Sequence, residues 1–202
     1  MIFLRKRTAA IAAPTRTLII NGNPDPRPER YCAALCQAIA EGAGDTGGKV
    51  RRLDIGRMAL PPEPQVWASK SELPQAALAQ ALELFCWADR FFIVFPMWLG
   101  GAPPPLRLLF EELARQREPE IKLRGTLGVV EVEKNAHVII TASFPSLFYR
   151  GSAAAGMASF AGLRTACTTI IGSVDAIGQE ERLRWLGRVG RVAALTDMAL
   201  AA

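Results

Sequence analysis

The stretch 88–113, ADRFFIVFPMWLGGAPPPLRLLFEEL, decides the fold class. Phe91 to Phe95 are all aromatic or aliphatic, the composition of a strand covered on both faces. Pro96 has no backbone N–H and stops ladder donation, Gly100 and Gly101 allow a close backbone approach, and the prolines at 103–105 suit a turn and the first position of a helix. A buried strand ending in a loop that feeds a helix is the βα step of a parallel sheet, and ligands bind beyond the carboxyl ends of such strands. The loop Met97-Trp98-Leu99-Gly100-Gly101 is therefore the first place to seek a ligand. Its amides and flat apolar side chains suit a planar aromatic ring better than a metal or a phosphate. A tight βα connection with a core tryptophan would use the same residues.

Working outward, the pattern repeats. Thr17 to Asn21 (TLIIN) predicts a first strand, and NGNPDPRPER after it is dense in turn formers. An alanine-rich helix follows from about Tyr31 to Glu41, closed by glycines at 42, 44, 47 and 48. Lys49 to Ile55 reads as a second strand with one exposed face, 58–73 as a proline-rich connection, and Leu73 to Ala88 as a helix. The helix after the opening strand runs to about Gln116. Residues 117–136, with an alternating TLGVVEVE segment, read as either an edge hairpin or an irregular excursion. His137 to Ala142 predicts a fourth strand, 143–163 a small-residue loop or weak helix, Thr165 to Ile171 a fifth strand, and Glu180 to Ala201 a closing amphipathic helix. Strands alternating with helices make a doubly wound sheet, so the expected architecture is a three-layer α/β/α sandwich on a five-stranded parallel sheet.

The chain has 202 residues, room for one such domain, placed at 15–202. Residues 1–14 carry Arg5, Lys6 and Arg7 and then alanines, without the apolar core a signal peptide needs, and read as a flexible extension. No apolar run reaches the roughly 20 residues that span a bilayer. The net charge of +5 favours anionic partners such as phosphate-bearing cofactors. Its basic residues are dispersed and form no stripe of the kind that binds nucleic acid.

The four cysteines are Cys32, Cys36, Cys86 and Cys167, and His137 is the only histidine, so a zinc-type ligand set is not expected. Cys32 and Cys36 read as small helix residues of a reducing, cytoplasmic compartment. His137, at the head of a strand, reads as structural. The first loop lacks GxGxxG and the P-loop pattern, and the chain lacks a GxSxG elbow. It does place a helix N-terminus near Arg30, where free N–H groups favour an anion, with Arg27 and Arg30 available for direct contacts or simply solvated. Such a rim holds a cofactor that brings its own reactivity.

Three segments, LIINGNPDPRPERYCAAL, ADRFFIVFPMWLGGAPPPLRLLFEEL and HVIITASFPSLFYR, together resemble the flavodoxin-like NAD(P)H dehydrogenase (quinone) family, in its small bacterial NAD(P)H-dependent oxidoreductase branch. The likeness covers about Thr17 to Gly172. It implies a homodimer that binds FMN or FAD, takes hydride from NAD(P)H, and reduces a quinone or similar electrophilic acceptor in a ping-pong cycle. By position, Asn23, Arg30, Tyr31 and Cys32 resemble the phosphate loop, and Pro96, Met97, Trp98 and Leu99 the segment along the isoalloxazine. Thr141, Ala142, Ser143 and Phe144 resemble the loop facing the flavin pyrimidine edge, and Tyr149 a tyrosine of the nicotinamide and quinone pocket. The chain departs from the family in having Asn23 and Ser152 to Ala155 where larger members carry histidines, and Ser143-Phe144 where a glycine pair is common. These departures raise a second expectation, a flavin- or nucleotide-binding regulatory subunit without turnover, attached to a partner such as an ion-efflux system.

Overall fold

The computed structural model describes residues 14–58, 74–127, 134–149 and 162–199. Five strands form one parallel sheet: β1 (Arg16–Asn21), β2 (Lys49–Asp54), β3 (Arg90–Pro96), β4 (Lys134–Thr141) and β5 (Leu163–Ile171). Their spatial order is β2-β1-β3-β4-β5. The helices are α1 (Tyr31–Asp45), α2 (Gln75–Trp87), α3 (Pro104–Leu127) and α4 (Gln179–Ala199), with 3₁₀ turns at Ile55–Arg57 and Ser146–Tyr149. This is the expected α/β sandwich. The direction of winding reverses between β1 and β3, the switch point where such sheets open a crevice.

Alternation along β3 shows how the layers close. Phe91, Ile93 and Phe95 join the core formed with α2 and α3, including Leu84, Leu106 and Phe110. Phe92 and Val94 point to the opposite core with Leu35, Ile39, Val189 and Ala193 of α1 and α4. Both faces of β1 and β3 are covered, so their sequences are continuously apolar rather than alternating.

Several boundaries differ from expectation for physical reasons. Helix α1 does not close at Glu41 but continues through Gly42 and Gly44 to Asp45. Gly42 sits at the crossing with α4, where a Cβ would lie 2.0 Å from the Gly190 carbonyl oxygen, so close packing, and not termination, requires that glycine. Helix α3 runs past Gln116 to Leu127, so 117–127 forms neither a hairpin nor an excursion. Its Arg, Glu, Lys and Leu residues are strong helix formers, whereas Pro119 and Gly125 oppose a helix, which is why the local pattern does not announce the extension. Strand β3 includes Pro96, which stands in register with Thr141. Strand β4 begins three residues before His137. The connection at 59–73, the segment 128–133, most of 150–163 and residues 1–13 lie outside the described residues.

Candidate functional site

The loop after β1 is built by a ladder of side-chain acceptors. Prolines at 24, 26 and 28 have no N–H. The amides between them are satisfied two residues back: Asn23 N–H donates to Asn21 Oδ1 (3.2 Å), Asp25 N–H to Asn23 Oδ1 (3.1 Å) and Arg27 N–H to Asp25 Oδ1 (3.1 Å). Asn21 is in turn anchored across the sheet, its Nδ2 donating to Asp54 Oδ1 at 2.9 Å. The Asp25 carboxylate also accepts from Arg27 Nη2 at 2.6 Å and from Arg30 Nε at 2.6 Å. Hydrogen bonding from Arg27 holds the Asp25 carboxyl below the usual carboxylate range. The two arginines expected to reach an anion therefore already share a carboxylate.

Helix α1 opens without a side-chain cap on Arg30 and without an acidic residue in its first turn. The Tyr31 amide has no partner among the described residues, the Cys32 amide has only its own thiol, and both carry the positive end of the helix dipole. They border a cavity of about 300 Å³ whose walls include Asn23, Arg30, Pro96, Thr141 and Arg182. Cys32 lies under its floor, Sγ 3.6 Å from Thr141 Oγ1, and burial pushes its thiol up to about 11. Cys32 is thus a neutral packing group there and no nucleophile at neutral pH.

Next along the rim, the chain after β3 forms a two-residue turn in which Trp98 and Gly101 exchange both backbone hydrogen bonds at 2.8 Å. Leu99 (φ 45°) and Gly100 (φ 80°) both take left-handed conformations, the geometry of a type I′ turn. Such a turn prefers Asn, Asp or Gly at its first central position, yet here a leucine projects fully into solvent with Trp98 beside it, 48% exposed. Opposite stand Ser143 and Phe144 of the β4 loop, Phe144 being 66% exposed. Met97, Trp98, Leu99, Gly100, Ser143 and Phe144 line an open slot of about 610 Å³.

The two spaces are contiguous in the chain. Pro96 and Thr141, paired in register, wall the first, and Met97 and Ser143 wall the second. Met97 N–H donates to Thr141 O at 2.7 Å, clamping β3 to β4 at this junction. Ala142 N–H is spent on Ile171 O (2.9 Å), so among the described residues the amides of Ser143 and Phe144 are the unpartnered donors of that loop.

The structure brings Asn23, Arg30, Tyr31, Cys32, Pro96 and Thr141 to one cavity, and Met97, Trp98, Leu99, Ser143 and Phe144 to the next. The Ala142 residue is buried behind the rim, and Tyr149 ends the 3₁₀ turn after the β4 loop. Ser152 to Ala155 lie outside the described residues. His137 is away from the rim: Nε2 bonds Thr169 Oγ1 at 2.9 Å, the ring stacks on Phe92, and burial lowers its pKa. Sequence reasoning missed Arg182. Its Nε and Nη2 donate to the carbonyls of Ile177 and Val174, and its guanidinium lies 5.1 Å from the Tyr31 ring centroid. Nothing in its local pattern separates it from the other arginines of α4, because only the packing of α4 on α1 carries it to the cavity.

Among the described residues, no group of three or more His, Cys, Asp or Glu could hold a metal ion, and no helix is long and apolar enough to cross a membrane. The sequence pattern of a family described as having a flavodoxin-like fold matches residues 15–177. The chain belongs to this flavodoxin-like fold family. Solved structures similar to this flavodoxin-like chain include an NAD(P)H:quinone oxidoreductase from Methanothermobacter marburgensis, 19% identical with a TM-score of 0.62, the match covering 92% of this chain and 98% of that one. Another is an FMN-dependent NADH-azoreductase from Bacillus anthracis in complex with FMN, 13% identical with a TM-score of 0.61, covering 89% and 98%. A third is a putative quinone reductase from Klebsiella pneumoniae, 15% identical with a TM-score of 0.60, covering 92% and 85%. No curated protein matches the chain. At these identities the neighbours establish the flavodoxin-like fold.

Proposed function

We propose that this flavodoxin-like protein is an FMN-dependent NAD(P)H oxidoreductase that reduces quinones or similar electrophilic acceptors. The observation that carries the reading is that two unlike spaces at the switch point are walled by neighbouring residues of the same two strand ends, Pro96 and Met97 at the end of β3, Thr141 and Ser143 at the end of β4. An anion-suited cavity at the start of α1 adjoins an apolar slot open enough for a flat ring. The donor set fits the group: the first-turn amides of α1 and a guanidinium at one end, and Trp98 and Phe144 with the amides of Ser143 and Phe144 at the other. FMN is preferred to FAD because the α1 donors suit a single terminal anion, and one structural neighbour is described in complex with FMN.

The chemistry supplied when flavin is bound is two-electron exchange between a reduced nicotinamide and an acceptor. The chain's own residues bind and orient. Met97, Trp98 and Leu99 form one wall of the ring slot, with Pro96 preceding them at the neighbouring cavity, and the Ser143 and Phe144 amides donate toward negative charge on the opposite edge. Asn23, Tyr31 and Cys32 position the phosphate end, and Thr141 joins the two ends. Tyr149 orients the acceptor. The exposed Leu99, Leu147 and Phe148 leave apolar surface beside the slot, which supports an apolar acceptor and a homodimer closing over it. Four free cysteines support a reducing, cytoplasmic setting.

The test is an absorption spectrum of purified protein after addition of FMN, followed by NAD(P)H oxidation with a benzoquinone. A yellow protein that turns over supports the reading; failure to take up FMN rejects it. One observation favours a second reading, a flavin-binding regulatory subunit. The only imidazole in the chain, on His137, stands four residues before the end of β4, roughly 13 Å by strand rise, and is engaged by Thr169. That reading expects bound FMN with negligible turnover.

A further inference from the structure

We infer that Arg182 of the last helix, and not Arg27 or Arg30 of the first loop, is the cation that holds the anionic terminus of the ligand; this rests on the flavin reading above. The cavity at the start of α1 is bordered by two guanidinium groups, Arg30 and Arg182. Arg30 is committed. Together with Arg27 it bonds Asp25, and the ladder of Asn21, Asn23 and Asp25 acceptors fixes that carboxylate in place. An incoming phosphate would have to displace a carboxylate that already matches the guanidinium geometry, so Arg30 gains little by exchanging one anion for another.

Arg182 is held differently. Its partners are two neutral carbonyls, Val174 O and Ile177 O, and the face of the Tyr31 ring, which orient the guanidinium without cancelling its charge. Its Nη1 has no hydrogen-bond partner among the described residues. Glu29 and Asp175 also border the cavity, yet neither forms an ion pair with Arg182 among the described residues. Tyr31 fastens the arrangement from the other side, its Oη donating to Arg182 O at 3.3 Å, and Tyr31, Cys32 and Arg182 all line the cavity. Asp25 then acts as a built-in counter-ion that keeps two of the three nearby arginines from the ligand.

The experiment titrates wild type and variants with FMN and with riboflavin, which shares the ring system and lacks the phosphate, following flavin fluorescence. The ratio of the two dissociation constants isolates the anion. Arg182→Gln is expected to weaken FMN about tenfold, the size of one charge-assisted hydrogen bond, and to leave riboflavin unchanged. Arg27→Gln and Arg30→Gln are expected to change FMN binding by less than about twofold. Asp25→Asn keeps the Oδ1 acceptor of the ladder, releases both arginines and should tighten FMN alone. If Arg182→Gln fails to fold, Arg182→Lys serves, with a smaller loss still confined to FMN.

The inference is overturned if Arg30→Gln costs as much as Arg182→Gln, if either Arg182 variant weakens both flavins equally, or if wild type binds riboflavin as well as FMN. Wild type that binds neither flavin overturns the functional reading with it.

Discussion

Replacing Gly42 by alanine tests the packing that places α4, and with it Arg182, at the site. A Cβ built on Gly42 would lie 2.0 Å from the Gly190 carbonyl oxygen and 3.0 Å from its Cα, whereas ordinary contact begins near 3.4 Å. The obstruction is backbone and cannot rotate away, so the helices must part by about 1.4 Å, the difference between 3.4 and 2.0. A gap of only 0.5–1 Å already forfeits roughly a quarter to a half of a dispersion contact, and here the opening runs along the seam where Cys36, Ile39 and Ala43 meet Val189 and Ala193. The expected cost of overpacking is about 1–3 kcal/mol. Against it stands the gain of about 1 kcal/mol from replacing glycine by alanine in a helix. Gly44 supplies the control, because it lies in the same helix with nothing within 4 Å of its would-be Cβ. Gly44→Ala should therefore stabilise by up to about 1 kcal/mol, and Gly42→Ala should be less stable than Gly44→Ala by about 1–3 kcal/mol once the helix gain common to both cancels. Urea denaturation of the three proteins, with slopes compared as well as midpoints, measures this. Equal stability of the two variants would refute the close α1–α4 crossing and the placement of Arg182 that depends on it.

Trp98→Ala should leave the fold intact, since the ring is half exposed, and weaken FMN by about fivefold through lost stacking worth on the order of 1 kcal/mol; unchanged affinity in a fluorescence titration places the ring elsewhere. Leu99→Asn should raise thermal stability by up to about 1 kcal/mol, because asparagine tolerates the left-handed first position of a type I′ turn and the leucine packs on nothing, while FMN binding falls; a lower melting temperature would argue against the turn geometry. A thiol reagent at pH 8 should modify Cys86 and Cys167 quickly and Cys32 and Cys36 slowly, with four fast thiols refuting the burial. Burial raises Cys32 from 9.0 to about 11 and Cys36 also upward. The unfolded chain therefore loses these protons first, and stability present below about pH 9 should fall as pH rises toward 11, by about 1.4 kcal/mol per pH unit for each thiol. A flat alkaline stability profile would show that the thiols are solvated in the native state.

Much of this molecule is local in origin. The uninterrupted apolar runs of TLIIN and FFIVF require strands covered on both faces, which implies helices on both sides and hence a parallel sheet with its site at the carboxyl rim. The same runs, with the turn formers that follow them, place Asn23, Tyr31, Trp98 and Ser143 on that rim. What the pattern could not show is which glycines end a helix and which admit a neighbour: Gly42 and Gly44 look alike in sequence and differ only because Gly190 approaches one of them. Local pattern also could not show that Asp25 neutralises the loop arginines, since that pairing depends on the turn geometry anchored through Asn21 on Asp54 of another strand. Arg182 is the extreme case. Composition and periodicity act over a few residues and determined the layers, whereas the charge at the cavity is set by groups some 150 positions apart, which only the packing of α4 against α1 brings within hydrogen-bonding distance.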